Sequence, residues 1–343
     1  MKRKTWIQLA IILLLTAVFL YFFFRGVEWR NVWTYLRQVK LGWFLAAVLI
    51  SPLHLATRGF RWKYLLVHEK PDVRFYNMFA ANAVGFTVTF MLPGRIGELV
   101  KPLYLARREG CRPGFAIGTI VIERIFDMFT MCALLGIFLL SRPLYASVFK
   151  IQAQTEKNLA FWGIIGVALA STLLVLSLLF YFFKDKALRV AAVVLKWLPH
   201  RLRDIILNLL HEFIDGLKIF HSLGNLLAYI GLSFVVWLGI TFFYLVFFKA
   251  FGLAVSFFLL IPYIFLTMVG ASIPTPGMVG GFHYFSKLGL VELYGVDPNL
   301  AFGATLVVHA VQLVVTCLIG YVILWKDGLS LLQLKRLGET MKT

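Results

Sequence analysis

The sequence has little charge and few cysteines, and both shortages narrow the class of protein. Only 15% of its 343 residues are charged, whereas a soluble domain carries about a quarter. Apolar residues make up 60% of the chain, which excludes a single water-soluble globule with a polar surface. The three cysteines, Cys111, Cys132 and Cys317, form no CxxC pair. We therefore expect neither a disulfide framework nor a zinc site.

Acidic residues are the scarcer kind of charge, with 16 Asp and Glu against 34 Lys and Arg and a net charge of +18. In a soluble protein this balance would suggest nucleic-acid binding. Here the basic residues fill the gaps between apolar blocks, which is typical of cytoplasmic loops beside anionic lipid headgroups. We expect membrane lipids as partners, with an anionic headgroup, and no nucleic acid.

Apolar blocks near 20 residues long recur along the chain, and a helix of that length crosses about 30 Å of hydrocarbon. They predict an all-α polytopic membrane protein, a single transmembrane domain over 1–343. The pattern gives about six full spans, at 6–24, 42–62, 114–140, 159–183, 226–250 and 300–324. No small-x-small cleavage site follows the first block, so we expect an uncleaved span. Apolar residues at helical spacing over 201–220 predict an amphipathic helix at the membrane surface.

Two further apolar stretches, 75–98 and 257–297, are broken by proline and glycine. Basic clusters at 58–74 and 101–112 flank the first stretch, and the positive-inside rule places both clusters in the cytoplasm. Residues 75–98 must then enter and leave from one side, as a re-entrant hairpin. Residues 257–297 begin and end outside, either as a second hairpin or as two short spans. Both termini are then cytoplasmic, and the membrane is the cell membrane.

The two broken stretches share the motif Pro-Gly-x-(Ile/Val)-Gly, which begins at Pro93 and again at Pro276. The same offset of 183 residues brings the flanking spans into register. This predicts one repeat unit at about 42–140 and a second at about 226–324, joined by the linker 141–225. Because the charge scheme threads the units in opposite directions, the repeat is inverted, an architecture found in secondary transporters with the site at broken helices.

Polar groups at the breaks and inside the spans form the candidate site. Backbone groups freed at proline and glycine cannot face lipid, and helix N-termini at such breaks suit a phosphate. A charge at the bilayer centre costs at least about 2.5–3.5 kcal/mol and normally faces a polar cavity. The candidate substrate-binding residues are Pro93, Gly94, Arg95, Gly97, Glu98, Lys101, Glu123, Arg124, Asp127, Pro276, Gly277, Gly280 and His283. We expect no catalytic residue, no metal site and no cofactor.

Charged residues within the predicted span 114–140 suggest which groups of the site meet which part of a ligand. Glu123 and Asp127 are four residues apart and share a helix face, and Arg124 is three from Asp127 and can pair with it. The alternative is a structural ion pair closer to the interface. We expect the basic residues to meet phosphate, and the acidic ones to meet a cationic group or carry protons. The basic residues are Arg95, Lys101 and Arg124, and the acidic residues are Glu98, Glu123 and Asp127.

Three motifs resemble those of the flippase-like membrane domain of lysylphosphatidylglycerol synthases. Residues 92–102, LPGRIGELVKP, resemble the P-x-R-x-G-E-x-x-R signature of that family. Residues 123–127, ERIFD, look like its E-R-x-x-D element, and residues 274–280, PTPGMVG, like its P-x-P-G-x-x-G element. His283 stands where the family often has Glu, and the synthases' soluble aminoacyl-transferase domain has no counterpart before Thr343. The resemblance therefore implies lipid translocation and not lipid aminoacylation.

The leading functional hypothesis is a flippase or scramblase for a phospholipid or another anionic or zwitterionic amphipathic lipid. No G-x-x-x-x-G-K-[ST] loop occurs, so transport would be gradient-coupled or passive. One alternative is an intramembrane lipid-headgroup transferase, although the His-Glu pair at 211–212 lacks the second histidine of a zincin motif. The other is a small-solute or ion transporter. We expect a transporter and no enzyme, and self-association is left open.

Overall fold

A computed structural model describes residues 14, 16–67, 69–92, 95–145, 153–217 and 222–329, and within these ranges it contains helices and no strand. The first helix, α1, covers 16–24. The others are α2 Trp29–Arg37, α3 Leu41–Ile50, α4 Leu53–Leu66, α5 Phe75–Met91, α6 Gly97–Glu109, α7 Pro113–Leu140, α8 Arg142–Tyr145, α9 Ala153–Phe182, α10 Lys184–Val194, α11 His200–Gly216, α12 Leu223–Ala250, α13 Ile261–Ser272, α14 Gly281–Tyr294 and α15 Pro298–Lys326. Short 3₁₀ turns cover Leu195–Trp197, Phe258–Leu260 and Pro276–Met278. The all-α prediction is confirmed for the described residues.

Four helical segments are long and apolar enough to cross a membrane, namely Leu41–Leu66, Lys157–Phe180, Leu223–Ala250 and Pro298–Lys326. Helix α7 is 28 residues long, but Glu123, Arg124 and Asp127 interrupt its apolar sequence. Large apolar side chains on α9 are exposed, with Trp162 at 54% and Ile164 at 69%. Exposing such side chains to the acyl chains of a bilayer costs no hydrophobic free energy, whereas exposing them to water does. The chain is a multi-pass membrane protein.

The helical segment that contains the predicted span 42–62 is longer than expected and includes two arginines. Its two helices, α3 and α4, meet at Ser51 and Pro52, and α4 continues to Leu66. Arg58 and Arg61, which belong to the basic cluster 58–74, are both buried, at 5% and 0% exposure. The helix continues past residue 62 because both guanidinium groups find carboxylate partners within the protein.

Each broken stretch forms two short helices packed through glycine. The first stretch gives α5 and α6, and α6 runs to Glu109, beyond the predicted end at residue 98. The Cβ of any other residue at Gly97 would overlap the carbonyl oxygen of Gly85. The second stretch gives α13 and α14, where a Cβ on Gly281 would lie 2.5 Å from the Gly270 carbonyl oxygen. Small residues allow the arms of each pair to approach this closely.

The helix boundaries of the two halves repeat at the offset of 183 residues. Helices α5, α6 and α7 begin at residues 75, 97 and 113, and the offset moves these positions to 258, 280 and 296. The corresponding apolar helix begins at Phe258, α14 begins at Gly281 and α15 begins at Pro298. Three helix starts in the first part of the chain thus recur, within two residues, at this offset in the second part.

The segment α3–α4 and helix α12 pack in opposite directions. The amide of Lys40, before α3, donates to the carbonyl of Ala250 at the end of α12, at 2.8 Å. Near the other end, Arg61 Nη1 donates to Ser233 Oγ at 3.1 Å. The start of α3–α4 thus lies beside the end of α12, and the end of α4 beside the start of α12. The two segments are antiparallel.

The predicted amphipathic helix 201–220 is found as α11, and residues 218–221 lie outside the described part of the chain. Arg112, just before α7, joins α11 to the rest of the protein. Its guanidinium donates to Asp215 at 2.9 Å and to Glu69 at 2.6 Å. The hydrogen bonds that the Arg112 guanidinium donates to the Glu69 carboxylate raise the pKa of Arg112 above its usual value. Since Arg112 keeps its charge, α11 is held against the start of α7.

Candidate functional site

Two buried carboxylates on α7 are paired with cations from α4, from α6 and from α7 itself. Asp127 accepts hydrogen bonds from Arg61 at 2.7 Å and Arg58 at 3.0 Å, and from the indole of Trp237 at 3.2 Å. Both arginines come from α4 and the tryptophan from α12. Spacing of three residues puts Arg58 and Arg61 on one face of α4, toward Asp127. The carboxylate of Asp127 is therefore surrounded by donors.

The second carboxylate, Glu123, lies one turn earlier on the same face of α7. Lys101 Nζ is 2.7 Å from one oxygen, and Arg124 Nη2 is 2.6 Å from the other. Arg124 also reaches Asp127 at 3.2 Å, the i, i+3 pair that the sequence predicted. Glu123 has no exposed surface. Its charge is stable at this depth only because the neighbouring cations neutralise it.

We call these six residues the charged cluster: Arg58, Arg61, Lys101, Glu123, Arg124 and Asp127. Its four cations exceed its two carboxylates by two charges. The buried Nε atoms of Arg58, Arg61 and Arg124 have no hydrogen-bond partner in the described structure. A buried donor without an acceptor costs about 1–3 kcal/mol. The cluster is thus a net positive site with spare donors, which suits an anion.

Aromatic rings complete the lining of the charged cluster. The guanidinium carbon of Arg58 lies 5.5 Å from the centre of the Trp237 ring. The Lys101 ammonium lies 4.5 Å from the centre of the Trp62 ring. Ring faces attract cations that have left water. These contacts help to hold the excess positive charge inside the apolar part of the protein.

A cavity of about 410 Å³ adjoins the charged cluster. Its polar walls include Arg58, Arg124 and Asp127 of the cluster, together with Arg95 and Glu98 of the first break. The side chain of Arg124 is 39% exposed, whereas the other cluster side chains are at most 7% exposed. Arg124 is therefore the member of the cluster that presents the most surface to a ligand in the cavity. The remaining walls are largely apolar, including Leu53, Phe86 and Phe243.

The first break brings a second arginine to the cavity. Arg95 adopts a left-handed backbone, with φ of 54°, and its side chain pairs with Glu98 at 3.1 Å. Arg95 Nη2 also donates to the carbonyl of Ala271 at 2.6 Å, near the end of α13. The first break thus touches the second hairpin directly. Pro93 and Gly94, two of the predicted site residues, lie outside the described residues.

The second break lies opposite, in the 3₁₀ turn Pro276–Met278. Gly277 has φ of 58°, and a Cβ there would lie 2.9 Å from the Phe90 carbonyl oxygen of α5. His309 of α15 holds this turn, since its Nε2 lies 3.0 Å from the Gly277 carbonyl. The two breaks therefore lie beside the same cavity.

Most of the predicted site residues lie close to the cavity, but some line its wall and others lie behind that wall. Arg95, Glu98, Arg124 and Asp127 line the cavity. Lys101 and Glu123 lie behind Arg124, without reaching the cavity wall. Gly97 packs against α5, and Gly277 and Gly280 shape the second turn. Pro276 begins that turn, and His283 lies behind it, with its ring centre 4.6 Å from that of His309.

The expected role of the acidic residues is revised by the structure. Glu123 and Asp127 already face protein cations at hydrogen-bond distance, so they act as counter-ions for the arginines and lysine. Glu98 is paired with Arg95 and is about one third exposed. The structural ion pair considered as an alternative is present, and it lies at the site itself.

Three side chains of the site were not predicted, namely Arg58, Arg61 and Trp237. The two arginines carried a readable signal, since both fall within the predicted span 42–62 and lie three residues apart. Trp237 gave no such signal, because an aromatic residue inside an apolar span is ordinary. Among the described residues no group of three or more His, Cys, Asp or Glu side chains could hold a metal ion.

Comparisons with known proteins agree with the motifs. Neither the curated proteins nor the solved structures contain a significant match to this chain. A protein-family model does match, over residues 5–320, and it is described as "Lysylphosphatidylglycerol synthase TM region". Because this match covers most of the chain, the protein belongs to the family of lysylphosphatidylglycerol synthase transmembrane regions.

Proposed function

We propose that the protein moves a phospholipid, or another anionic or zwitterionic amphipathic lipid, between the leaflets of the cell membrane. The observation that carries this proposal is the position of Arg124. Arg124 belongs to the buried, net positive cluster and is also partly exposed to a cavity of about 410 Å³. Ligand sites commonly enclose roughly 300–1,000 Å³. A cationic cavity among apolar spans suits the headgroup of a lipid whose tails remain in the bilayer.

In this proposal the headgroup phosphate meets Arg124 and Arg95. Guanidinium groups bind phosphate oxygens with two parallel hydrogen bonds, which fix orientation as well as charge. Arg124 Nε is buried without a partner, so phosphate would satisfy a donor that the protein leaves open. Glu123 and Asp127 keep the cations in place while the cavity is empty. Glu98 is the acidic group available to a zwitterionic headgroup.

Two features support the inverted repeat as the basis of transport. The helices of the two halves recur at one offset, and α3–α4 lies antiparallel to its counterpart α12. Reciprocal contacts join the two breaks, since Arg95 reaches Ala271 and Gly277 packs on Phe90. Alternating access in such folds is a rocking of one unit against the other around a fixed site. The proposal places both termini in the cytoplasm and treats the two short-helix pairs as re-entrant hairpins.

The proposal assigns no chemical reaction to this chain. The carboxylates of Glu123 and Asp127 are occupied by cations, and such groups are poor general bases. The family description names a synthase, so a headgroup transferase is the alternative that the experiment must separate. Self-association remains a prediction.

Transport is tested in liposomes that contain the purified protein and a trace of fluorescent phosphatidylglycerol or phosphatidylcholine. A membrane-impermeant quencher reports the labelled lipid that reaches the outer leaflet. We expect faster exposure of chemically unchanged lipid than in protein-free vesicles. The lipid retained on purification, identified by mass spectrometry, is tested in the same way. No movement of any of these lipids refutes the proposal, an altered lipid supports the transferase, and an ion current without lipid movement supports an ion transporter.

A further inference from the structure

Two histidines lie behind the turn of the second break, on the side opposite the charged cluster. His283 belongs to α14 and His309 to α15, and both are buried, at 4% and 5% exposure. Their ring centres are 4.6 Å apart. His309 also lines the cavity, whereas His283 does not. The pair therefore connects the cavity with the packed helices behind the break.

Backbone hydrogen bonds fix which ring nitrogen of each neutral histidine carries the proton. A carbonyl can only accept, so His309 Nε2 donates to the Gly277 carbonyl, at 3.0 Å. An amide can only donate, so His283 Nδ1 accepts from Gly280 N–H, at 3.4 Å. The basic nitrogens are then Nδ1 of His309 and Nδ1 of His283.

The two histidines respond to a proton in opposite ways. A proton on His309 Nδ1 leaves its bond to Gly277 intact and strengthens it. A proton on His283 Nδ1 turns an acceptor into a donor, and the ring then opposes the Gly280 N–H. Protonation of His283 therefore removes one of the two histidine contacts to the backbone of residues 277–280.

The turn has a backbone that needs such support. Gly277, Met278 and Gly280 have φ values of 58°, 59° and 95°, all in the left-handed region. Met278 is the strained residue of the three, because its side chain disfavours this conformation. Met278 also lines the cavity, so relaxation of the turn changes the cavity wall.

We propose that the His283–His309 pair takes up one proton together with an anionic headgroup, and that this proton is the coupling ion of the translocation proposed above. A second proton is excluded because two imidazolium rings this close, away from water, repel each other strongly. One proton and one singly charged lipid together carry no net charge. The transport cycle would then be electroneutral.

Surrounding charges set the sign of the coupling. The charged groups that share the cavity wall with His309 are Arg58, Arg95, Glu98, Arg124 and Asp127. The titratable groups on the elements packed around the pair include Arg25, Tyr263, Tyr284, Lys287 and Glu292. Lys287, one turn beyond His283, donates to the Phe23 carbonyl at 2.9 Å and keeps the site free of negative charge. Arg95 is already paired with Glu98. Without a ligand these cations oppose protonation. A phosphate in the cavity offsets them, and by linkage the proton favours phosphate binding equally.

The test uses the full-length protein in phosphatidylcholine liposomes with a trace of fluorescent phosphatidylglycerol and a trapped pH indicator. Potassium and valinomycin hold the membrane potential at zero. For one proton per lipid, we expect the leaflet ratio of labelled lipid to shift about tenfold per unit of pH gradient. We also expect the indicator to report proton movement with the lipid.

Two variants keep the backbone bonds but remove the titration. In His283→Asn the amide oxygen accepts from Gly280, and in His309→Gln the amide nitrogen donates to Gly277. Each variant should lose the tenfold shift, and its lipid movement at uniform pH is measured alongside to separate loss of coupling from loss of folding. His211→Asn, at an exposed histidine of α11, is the matched control and should keep the shift.

The outcomes separate the two proposals. Wild-type lipid movement without any pH effect overturns the proton inference and leaves the transport proposal standing. Variants that keep the full pH response overturn the assignment to this pair. Absence of lipid movement in the wild type overturns both. Should one variant fail to fold, the other variant and the wild-type indicator signal still decide the question.

Discussion

Arg95 and Met278 are separated by 183 residues and share a left-handed backbone, with φ of 54° and 59°. They are the non-glycine residues with positive φ in the described part of the chain. Each is the third residue of a Pro-Gly-x motif, and each side chain lines the same cavity. The strained conformation thus recurs at equivalent positions of both halves, which points to a constraint imposed by the site.

The proposed inverted repeat predicts opposite labelling of equivalent loops. Arg107, near the end of α6, should be reached by a membrane-impermeant thiol reagent only from the cytoplasm. Glu292, near the end of α14, should be reached from outside. Both residues are exposed, so each can be replaced singly by cysteine. The native Cys111, Cys132 and Cys317 are buried and are replaced by alanine in the background.

Labelling of position 107 in intact cells would contradict this topology. The inverted arrangement would then be wrong, whatever the internal packing of the helices. Labelling of position 292 only after permeabilisation would have the same meaning for the second half.

Replacing Arg124 with glutamine should slow phosphatidylglycerol translocation by about tenfold to a hundredfold. A hydrogen bond to a charged group contributes about 1.5–3 kcal/mol, and each 1.36 kcal/mol is tenfold in rate. Arg124→Lys should restore part of the rate because it keeps the charge but not the fork geometry. The measurement is initial lipid exposure in liposomes.

Arg107→Gln is the matched control for Arg124→Gln, since Arg107 is an exposed arginine away from the cavity. It should leave the rate unchanged. Equal slowing by both substitutions would mean that general surface charge, and not the cavity, controls transport.

Neutralising Glu123 should destabilise the fold more than neutralising Glu98. Glu123→Gln leaves Lys101, Arg58 and Arg61 with Asp127 as the remaining carboxylate, and breaking a buried ion pair costs about 3–5 kcal/mol. Glu98 is about one third exposed, and a pair at that exposure is worth about 0–1 kcal/mol. The free energy of unfolding in detergent measures both.

The double variant Lys101→Met with Glu123→Gln sharpens this comparison. Removing both partners should restore part of the stability lost by Glu123→Gln alone, because no uncompensated lysine remains. A double variant that is less stable than the sum of the single variants contradicts the assignment of Lys101 as the main partner of Glu123.

Gly97→Ala should destabilise the first hairpin, since the added methyl group overlaps the carbonyl of Gly85 and the hydroxyl of Thr89. Forced overpacking costs about 1–3 kcal/mol. Gly136→Ala on α7 is the control, because no atom lies within 4 Å of the added Cβ. It should be neutral or slightly stabilising. Similar melting temperatures for the two variants would refute the close contact between α5 and α6.

The helix order and much of the site were predictable because both leave local signals. Apolar length predicts spans, and a Pro-Gly motif at a fixed offset predicts breaks at matching places. Partners across the fold leave no such signal. Arg61 was not predicted as a site residue because the sequence does not show that Asp127, 66 positions later, lies 2.7 Å away. The contact of Trp237 with Asp127 was unpredictable for the same reason.

The end of the described α1 packs against the last part of the membrane domain to be synthesised. Phe23 stacks on Phe302 with ring centres 4.4 Å apart, and Lys287 donates to the Phe23 carbonyl. Synthesis adds about 5–20 residues per second, so α1 leaves the ribosome on the order of tens of seconds before its partners exist. During that interval its contact face must rest on lipid or on the insertion machinery. Docking of α1 is therefore a late step in assembly, and mutations at this contact should impair biogenesis before they impair transport.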